Sequence, residues 1–337
     1  MRWTVVLAAL LALAAGCGGG DDEGSGGTLT VYSGREEELV EPLFDRFEEE
    51  TGIDVEVRYG DSAELAATIA EEGDNTPADV FFAQDPGSLG AVEGQGRFAE
   101  LPDSILDRVD ERFRDPDGHW TGTSGRVRVI AYNTEELTED ELPDSVLDLT
   151  DPTWKGKLGI APTNASFQAF VSSMVLTRGE EATREWLEGL KANEPKLYDG
   201  NSPVVEAVAA GEILAGLVNH YYLYLVKEET PDAPVANHFL PGEDPGALVS
   251  VAGAGVIEGS DQEDEARRFV EFLLSDPSQR FYVDEAEEAE YPLVDGIAPK
   301  EGLPPLDQLR GPQIDLDDLG PQLEKTLELL NEVGFTT

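Results

Sequence analysis

Hydrophobic and polar positions along the chain alternate in two registers, and each change of register marks an element. "LTVYSG" alternates Leu29 and Val31 and breaks at Gly34, as a strand ending in a turn does. From Glu36 the period lengthens: Val40, Leu43, Phe44 and Phe47 share one helical face, closed by Thr51 and Gly52. "IDVEVRYG" returns to alternation through Ile53, Val55, Val57 and Tyr59. "SAELAATIAEEG" sets Leu65 and Ile69 one turn apart, and "ADVFFAQ" is the continuous apolar run of a strand covered on both faces. Strand, helix, strand, helix, strand predicts an α/β lobe with a largely parallel sheet.

The second half repeats the alternation. "GRVRVIAYN" reads as extended, "KLGIAPTNASF" as a strand running into a loop, and "REWLEGLKAN" and "SPVVEAVAAGE" as helices. "AGLVNHYY" is a strand reaching a turn, "LVSVAGAGVI" another strand, and "DEARRFVEFLLS" a helix that groups Phe269, Phe272 and Leu273. "LEKTLELLNEVG" is a last amphipathic helix. The order predicts two α/β lobes joined by crossing extended segments, Arg126–Tyr132 and Leu248–Val256. Residues 29–127 with 252–301 form the first lobe, and 128–251 with 302–337 the second. Ligands of such lobes sit beyond the carboxyl ends of strands, which puts "YSGRE" and "FFAQDPGS" at site positions and a small ligand in the cleft.

The N-terminus changes the compartment. A cation in "MRW", the apolar run Val5–Ala15 and small residues before Cys17 read as a secretion signal, too short to span a bilayer. "LAAGC" resembles a bacterial lipobox, with Ala14 where leucine is usual, which implies lipidation of Cys17 after cleavage at residue 17. A plain secreted protein with a free thiol is the alternative. Residues 18–28, glycine-rich and acidic, form a flexible tether. With a single cysteine, no intrachain disulfide can form. Seventy acidic residues against 23 basic ones give a net charge of −47, which argues against nucleic acid and anionic lipid as partners. Most of these carboxylates read as a heavily solvated surface.

Candidate chemistry is sparse apart from one cluster. The histidines are His119, His220 and His238, with no H-E-x-x-H spacing, no G-x-S-x-G elbow and no phosphate-binding glycine loop, so nothing supports an enzyme. Three of nine tyrosines, however, fall within "HYYLY". A phenol with a pKa near ~10 ligates metal only when the metal displaces its proton. Ferric iron, small, highly charged and partial to anionic oxygen, does so. If Asn219 caps a helix beginning at Tyr221, Tyr221 and Tyr222 lean into one loop mouth while Tyr224 points away. The bland reading stays open beside it: three rings packing round an ordinary half-buried helix.

"NHYYLYLVKEE" resembles the tyrosine-pair motif of the periplasmic ferric-ion-binding proteins, the solute receptors of bacterial iron ABC transporters. "LTVYSGREEELVEPLFDRFEEETGIDVEVRYG", "EEGDNTPADVFFAQDPGSL", "SGRVRVIAYNT", "WKGKLGIAPTNASF", "YDGNSPVVEAVAAGE" and "EYPL" resemble the family's blocks in the family's order. The resemblance implies the two-lobed periplasmic-binding-protein fold and Fe(3+) as the transported ligand, held by Tyr221 and Tyr222. It implies a synergistic carbonate or phosphate held by Asn164, Ala165, Ser166, Asn201 and Asn219. Some members carry a further tyrosine at the position of Ser166, a histidine at that of Glu36 and a glutamate at that of Gln84. Glu36 is therefore a candidate oxygen ligand, Arg35 and Arg126 are candidate counter-charges for the anion, and Gln84 and Asp85 stand just behind. Arg35 is equally readable as a solvent-facing cation beside "EEE", and Arg126 as a brace of the hinge. The partners implied are a membrane permease and a lipid anchor at the outer face of the cytoplasmic membrane, for a chain acting as a monomer. Two rival readings accompany this one: the same fold taking an organic anion such as a phosphonate, and a surface hydrolase on a receptor fold.

Overall fold

The computed structural model describes residues 27–286 and 289–336; the expected signal segment, Cys17 and most of the expected tether lie outside them. The strands are β1 Leu29–Ser33, β2 Val55–Tyr59, β3 Val80–Ala83, β4 Thr121–Asn133, β5 Leu158–Ile160, β6 Lys196–Leu197, β7 Ala215–Asn219, β8 Val235–His238, β9 Val249–Val256 and β10 Tyr291–Pro292. The helices are α1 Glu37–Thr51, α2 Ser62–Glu72, α3 Pro86–Glu93, α4 Asp103–Leu106, α5 Ala165–Arg178, α6 Glu180–Ala192, α7 Asn201–Ala209, α8 Tyr222–Glu229, α9 Glu263–Leu273, α10 Asp276–Asp284 and α11 Leu319–Val333. None of the helices in these residues is long and apolar enough to cross a membrane.

The strands run in the order β2-β1-β3-β9-β4-β7-β5-β6, with β10 and β8 also pairing β4. β1, β2 and β3 are mutually parallel, and β9 returns antiparallel beside β3. The thirteen residues of β4 are all buried. Its first half pairs β9, from Thr121 opposite Ala254 to Val127 opposite Val249. Its second half pairs β7, from Arg128 opposite Asn219 to Tyr132 opposite Ala215. One strand therefore serves two lobes; β4 contains the first crossing segment expected from sequence, and β9 contains the second except for Leu248.

Local chemistry sets the ends of the elements around the cleft. Asp61 caps α2 by accepting from the amides of Ala63 and Glu64. Gly52 ends α1 in the left-handed conformation, its amide returning to the Glu48 carbonyl. In the first lobe Phe269 of α9 stacks on Phe44 at 5.4 Å and meets Phe47 edge-on at 5.1 Å.

The expected loop after "APTN" is instead a fourteen-residue helix, α5. Phe167, Phe170, Val171, Met174 and Val175 are buried, but so are Ser172 and Ser173, so no polar stripe betrays the helical period. Ser173 Oγ turns back to the Phe170 carbonyl, and Ser172 Oγ meets Thr326 Oγ1 at 2.8 Å. α11 belongs to both lobes. Leu329 and Leu330 enter the second lobe's core with Phe170 and Trp186, while Gly320 lies so close to Gly87 of α3 that a Cβ there would stand 2.7 Å from the Gly87 carbonyl oxygen. Asp317, just before α11, accepts the indole N–H of Trp120 at 2.7 Å.

Candidate metal centre in the interlobe cleft

A cleft of about 1350 Å³ opens between the lobes, lined by the loops after β1 and β3, the start of α5, and the turn between β7 and α8. That turn carries the tyrosines. Tyr221 Oη donates to Tyr222 Oη at 3.1 Å, with the ring centroids 4.3 Å apart and the planes tilted by 31°. Tyr221 is 4 % exposed and Tyr222 half-buried, so two phenol oxygens share one point on the cleft floor. Tyr224 does not line the cleft; its ring packs under Lys300, with Nζ 5.3 Å from the centroid.

Asn219 is not the helix cap expected of it. α8 starts one residue later, at Tyr222, and Tyr221 already has helical dihedrals at the cap position, with no side-chain cap. Asn219 is held in β7 opposite Arg128, and its Oδ1 accepts from Arg128 Nη1 at 3.3 Å.

The start of α5 gathers the residues expected to hold an anion. Asn164 caps the helix, Oδ1 accepting from the Ser166 amide at 3.0 Å, Ser166 Oγ at 2.6 Å and Asn201 Nδ2 at 3.0 Å. Asn201, the first residue of α7, also donates to Ser166 Oγ at 3.1 Å. Asn164, Ala165, Ser166 and Asn219 line the cleft, while Asn201 braces them from behind. The positive end of the α5 dipole thus faces the tyrosines' cavity, a disposition suited to an anion.

Arg128 is the residue that sequence reasoning missed. Its guanidinium donates to Ser166 Oγ at 3.1 Å as well as to Asn219, lies 5.7 Å over the Phe170 ring, and keeps a buried Nη2 with no hydrogen-bond partner among the described residues. Burial pushes its pKa down to about 10, opposed by attraction to the Tyr222 and Tyr221 phenols. The signal was present in "GRVRV": residues two apart on a strand share a face, so Arg126 and Arg128 project together.

The first-lobe candidates are arranged differently from expectation. Arg35 is no solvent-facing cation: it is 2 % exposed, and its Nη2 pairs with Glu290 Oε2 at 2.9 Å. Arg126 Nε meets the other oxygen of Glu290 at 3.1 Å, and its Nη2 donates to the Gln84 carbonyl. Asp85 caps α3, accepting from the amide and hydroxyl of Ser88 at 2.9 and 2.8 Å, so its carboxylate already has a structural task. Gln84 lines the cleft with a buried Oε1 that has no partner among the described residues. Glu36 is exposed at the rim, alongside Glu37, Asp61 and Glu71. Among the described residues no group of three His, Cys, Asp or Glu side chains could hold a metal.

His220, beside the pair, is structural. Its Nδ1 accepts the Val127 amide at 3.2 Å and its Nε2 faces the Ala289 carbonyl at 3.1 Å, an arrangement that requires the neutral ring. Burial lowers its pKa to about 4. With the folded value below the unfolded one near 6.5, the unfolded state takes up the proton first. Stability is therefore full above about pH 6.5 and falls by roughly 3 kcal/mol as the pH drops through 4. Denaturation curves between pH 7 and 4 should show this loss in the wild type and a shallower one in His220→Gln.

Comparison with known proteins identifies the family. The family model for bacterial extracellular solute-binding proteins matches residues 75–308. The chain is 35 % identical over 311 residues to the major ferric iron-binding protein of Neisseria meningitidis, covering 91 % of this chain and 93 % of that one. Iron-bound HitA from Pseudomonas aeruginosa superposes with a TM-score of 0.82 at 36 % identity, covering 91 % of this chain and 99 % of that one. Trichodesmium IdiA (FutA), solved with iron and citrate ligands, also gives 0.82, at 29 % identity, covering 92 % and 100 %. These are solute-binding proteins and not enzymes, which removes the hydrolase reading. The two-lobed α/β architecture, the matched family and these relatives together make the chain a member of the ferric-ion-binding periplasmic proteins, within the bacterial extracellular solute-binding family.

Proposed function

We propose that this chain captures ferric iron between its lobes, with the deprotonated hydroxyls of Tyr221 and Tyr222 as ligands, and delivers it to an ABC transporter permease. The observation that carries the reading is the pair of phenol oxygens, 3.1 Å apart on the cleft floor beside the buried cation Arg128. Two phenolates do not fill the coordination sphere of Fe(III). The rest falls to an exogenous carbonate or phosphate, received by the α5 amides, Ser166, Asn219 and Arg128, with Asn164 and Asn201 fixing Ser166. Glu36 closes over the ion from the opposite rim as the lobes approach. The acidic rim raises the local concentration of cations, and salt weakens this effect because the carboxylates are exposed. A lipid on Cys17 and the tether 18–28 hold a monomeric body at the outer face of the cytoplasmic membrane, close to the permease.

The test is optical. Metal-free protein given Fe(III) in bicarbonate or phosphate buffer is expected to develop a visible tyrosinate-to-iron band that saturates at one iron per chain. Absence of the band, with protein folded by circular dichroism, defeats the proposal.

A further inference from the structure

Three guanidinium groups, Arg35, Arg126 and Arg128, line one cleft, and three cations converging on a cavity are ordinarily the mark of a receptor for free phosphate or phosphonate. We infer that Glu290 is the specificity-determining residue that prevents this: it pairs with two of the three cations from behind the cleft wall and cancels one of their charges, so that an anion is held tightly only together with the metal. The inference deepens the proposed ferric reading and rests on it.

The geometry is specific. Glu290 is fully buried, and Arg35 and Arg126 approach its two carboxylate oxygens from two sides, at 2.9 and 3.1 Å. The Arg35 side chain is 0 % exposed and that of Arg126 7 %. Ser124 Oγ accepts a further bond from Arg35, and the Gln84 carbonyl one from Arg126. Flanking contacts hold the segment in place: Tyr291 and Pro292 pair with β4, and the Ala289 carbonyl meets His220, next to the tyrosine pair. The carboxylate thus cancels one charge, engages Nη1 and Nη2 of Arg35 and faces Nε of Arg126, whereas the hydrogen-bond partners of Arg128, Ser166 and Asn219, are neutral. Three guanidinium groups and one carboxylate leave two net positive charges, which with a helix N-terminus hold a free dianion less tightly than three would. Fe(III) on two phenolates keeps one positive charge, and that charge completes the attraction.

Calorimetry with inorganic phosphate tests this in two arms. Metal-free wild type should bind phosphate about 100-fold more weakly than the iron-loaded protein does. Metal-free Glu290→Gln should bind phosphate about tenfold or more tightly than metal-free wild type, because two buried guanidinium groups then need a counter-ion. The double variant Glu290→Gln with Arg126→Gln, whose net charge equals that of the wild type, should return to weak binding. A merely structural role for Glu290 would lower stability without any gain in phosphate affinity. Equal phosphate affinity in Glu290→Gln and wild type, or in metal-free and iron-loaded wild type, overturns the inference. The second comparison needs no variant and holds even if Glu290→Gln fails to fold. A missing iron band in the wild type sinks the ferric reading itself, whereas a normal band with the wrong phosphate result sinks only the role of Glu290.

Discussion

Tyr222→Phe is expected to abolish the tyrosinate-to-iron band and to weaken ferric iron by at least about a hundredfold, since even groups behind a ligand commonly cost 10- to 100-fold. The change removes one oxygen and nothing else. The ring stays half-buried against Tyr221, and the Tyr221 hydroxyl loses a neighbour that water on the cleft floor replaces. The fold should therefore be untouched. What is lost is one of two neighbouring phenolates, and a single phenolate holds the ion too weakly to resist a competing chelator such as citrate in the titration. A Tyr222→Phe protein with the wild-type band would end the assignment of that residue.

Arg128→Met should separate binding from stability. A guanidinium whose pKa has been driven by burial well below its ordinary value, down to about 10, is charged at a cost of roughly 3 kcal/mol at neutral pH. Because the folded value is the lower one, this cost is complete below about pH 10 and fades only as the pH rises from there toward the ordinary guanidinium value. Its hydrogen-bond partners Ser166 and Asn219 are neutral, so removing it strands no opposite charge, and Ser166 keeps its bonds to Asn164 and Asn201. Thermal unfolding of the variant should accordingly occur at or above the wild-type temperature. Iron retention in carbonate or phosphate should fall by about a hundredfold, because the anion has lost its nearest cation. A variant that melts much lower yet binds iron normally would show that Arg128 is only a brace.

Much of the architecture was legible because it is written in local periods. The first five elements announce themselves by switching between alternation and helical spacing, and the continuous apolar run "VFFA" marked a strand covered on both faces, as β3 is. α5 was not legible, since a helix buried on most sides shows no polar face, and "APTNASF" looked like a loop where Asn164 was in fact a cap. The site divides the same way. The tyrosine pair was visible as a cluster but needed the family resemblance to be preferred over ordinary packing. Arg128 was readable from its spacing to Arg126 on one strand. The partner of Arg35 was not, because Glu290 lies 255 residues away and no local rule connects them. The only hint was that the family block "EYPL" begins at that glutamate.

Two adjacent strands, on their own, can twist as readily as they bend. α11 adds a third support: its far end is embedded in the second lobe, and its near end rests where Gly320 meets Gly87 without intervening side chains. In the closure proposed for this chain, such a bare backbone contact would serve as a fulcrum on which the halves roll while torsion is resisted. Each stroke of that proposed closure would bring the same points of the two rims together, and the outer face proposed to meet the permease would have one shape rather than a family of them.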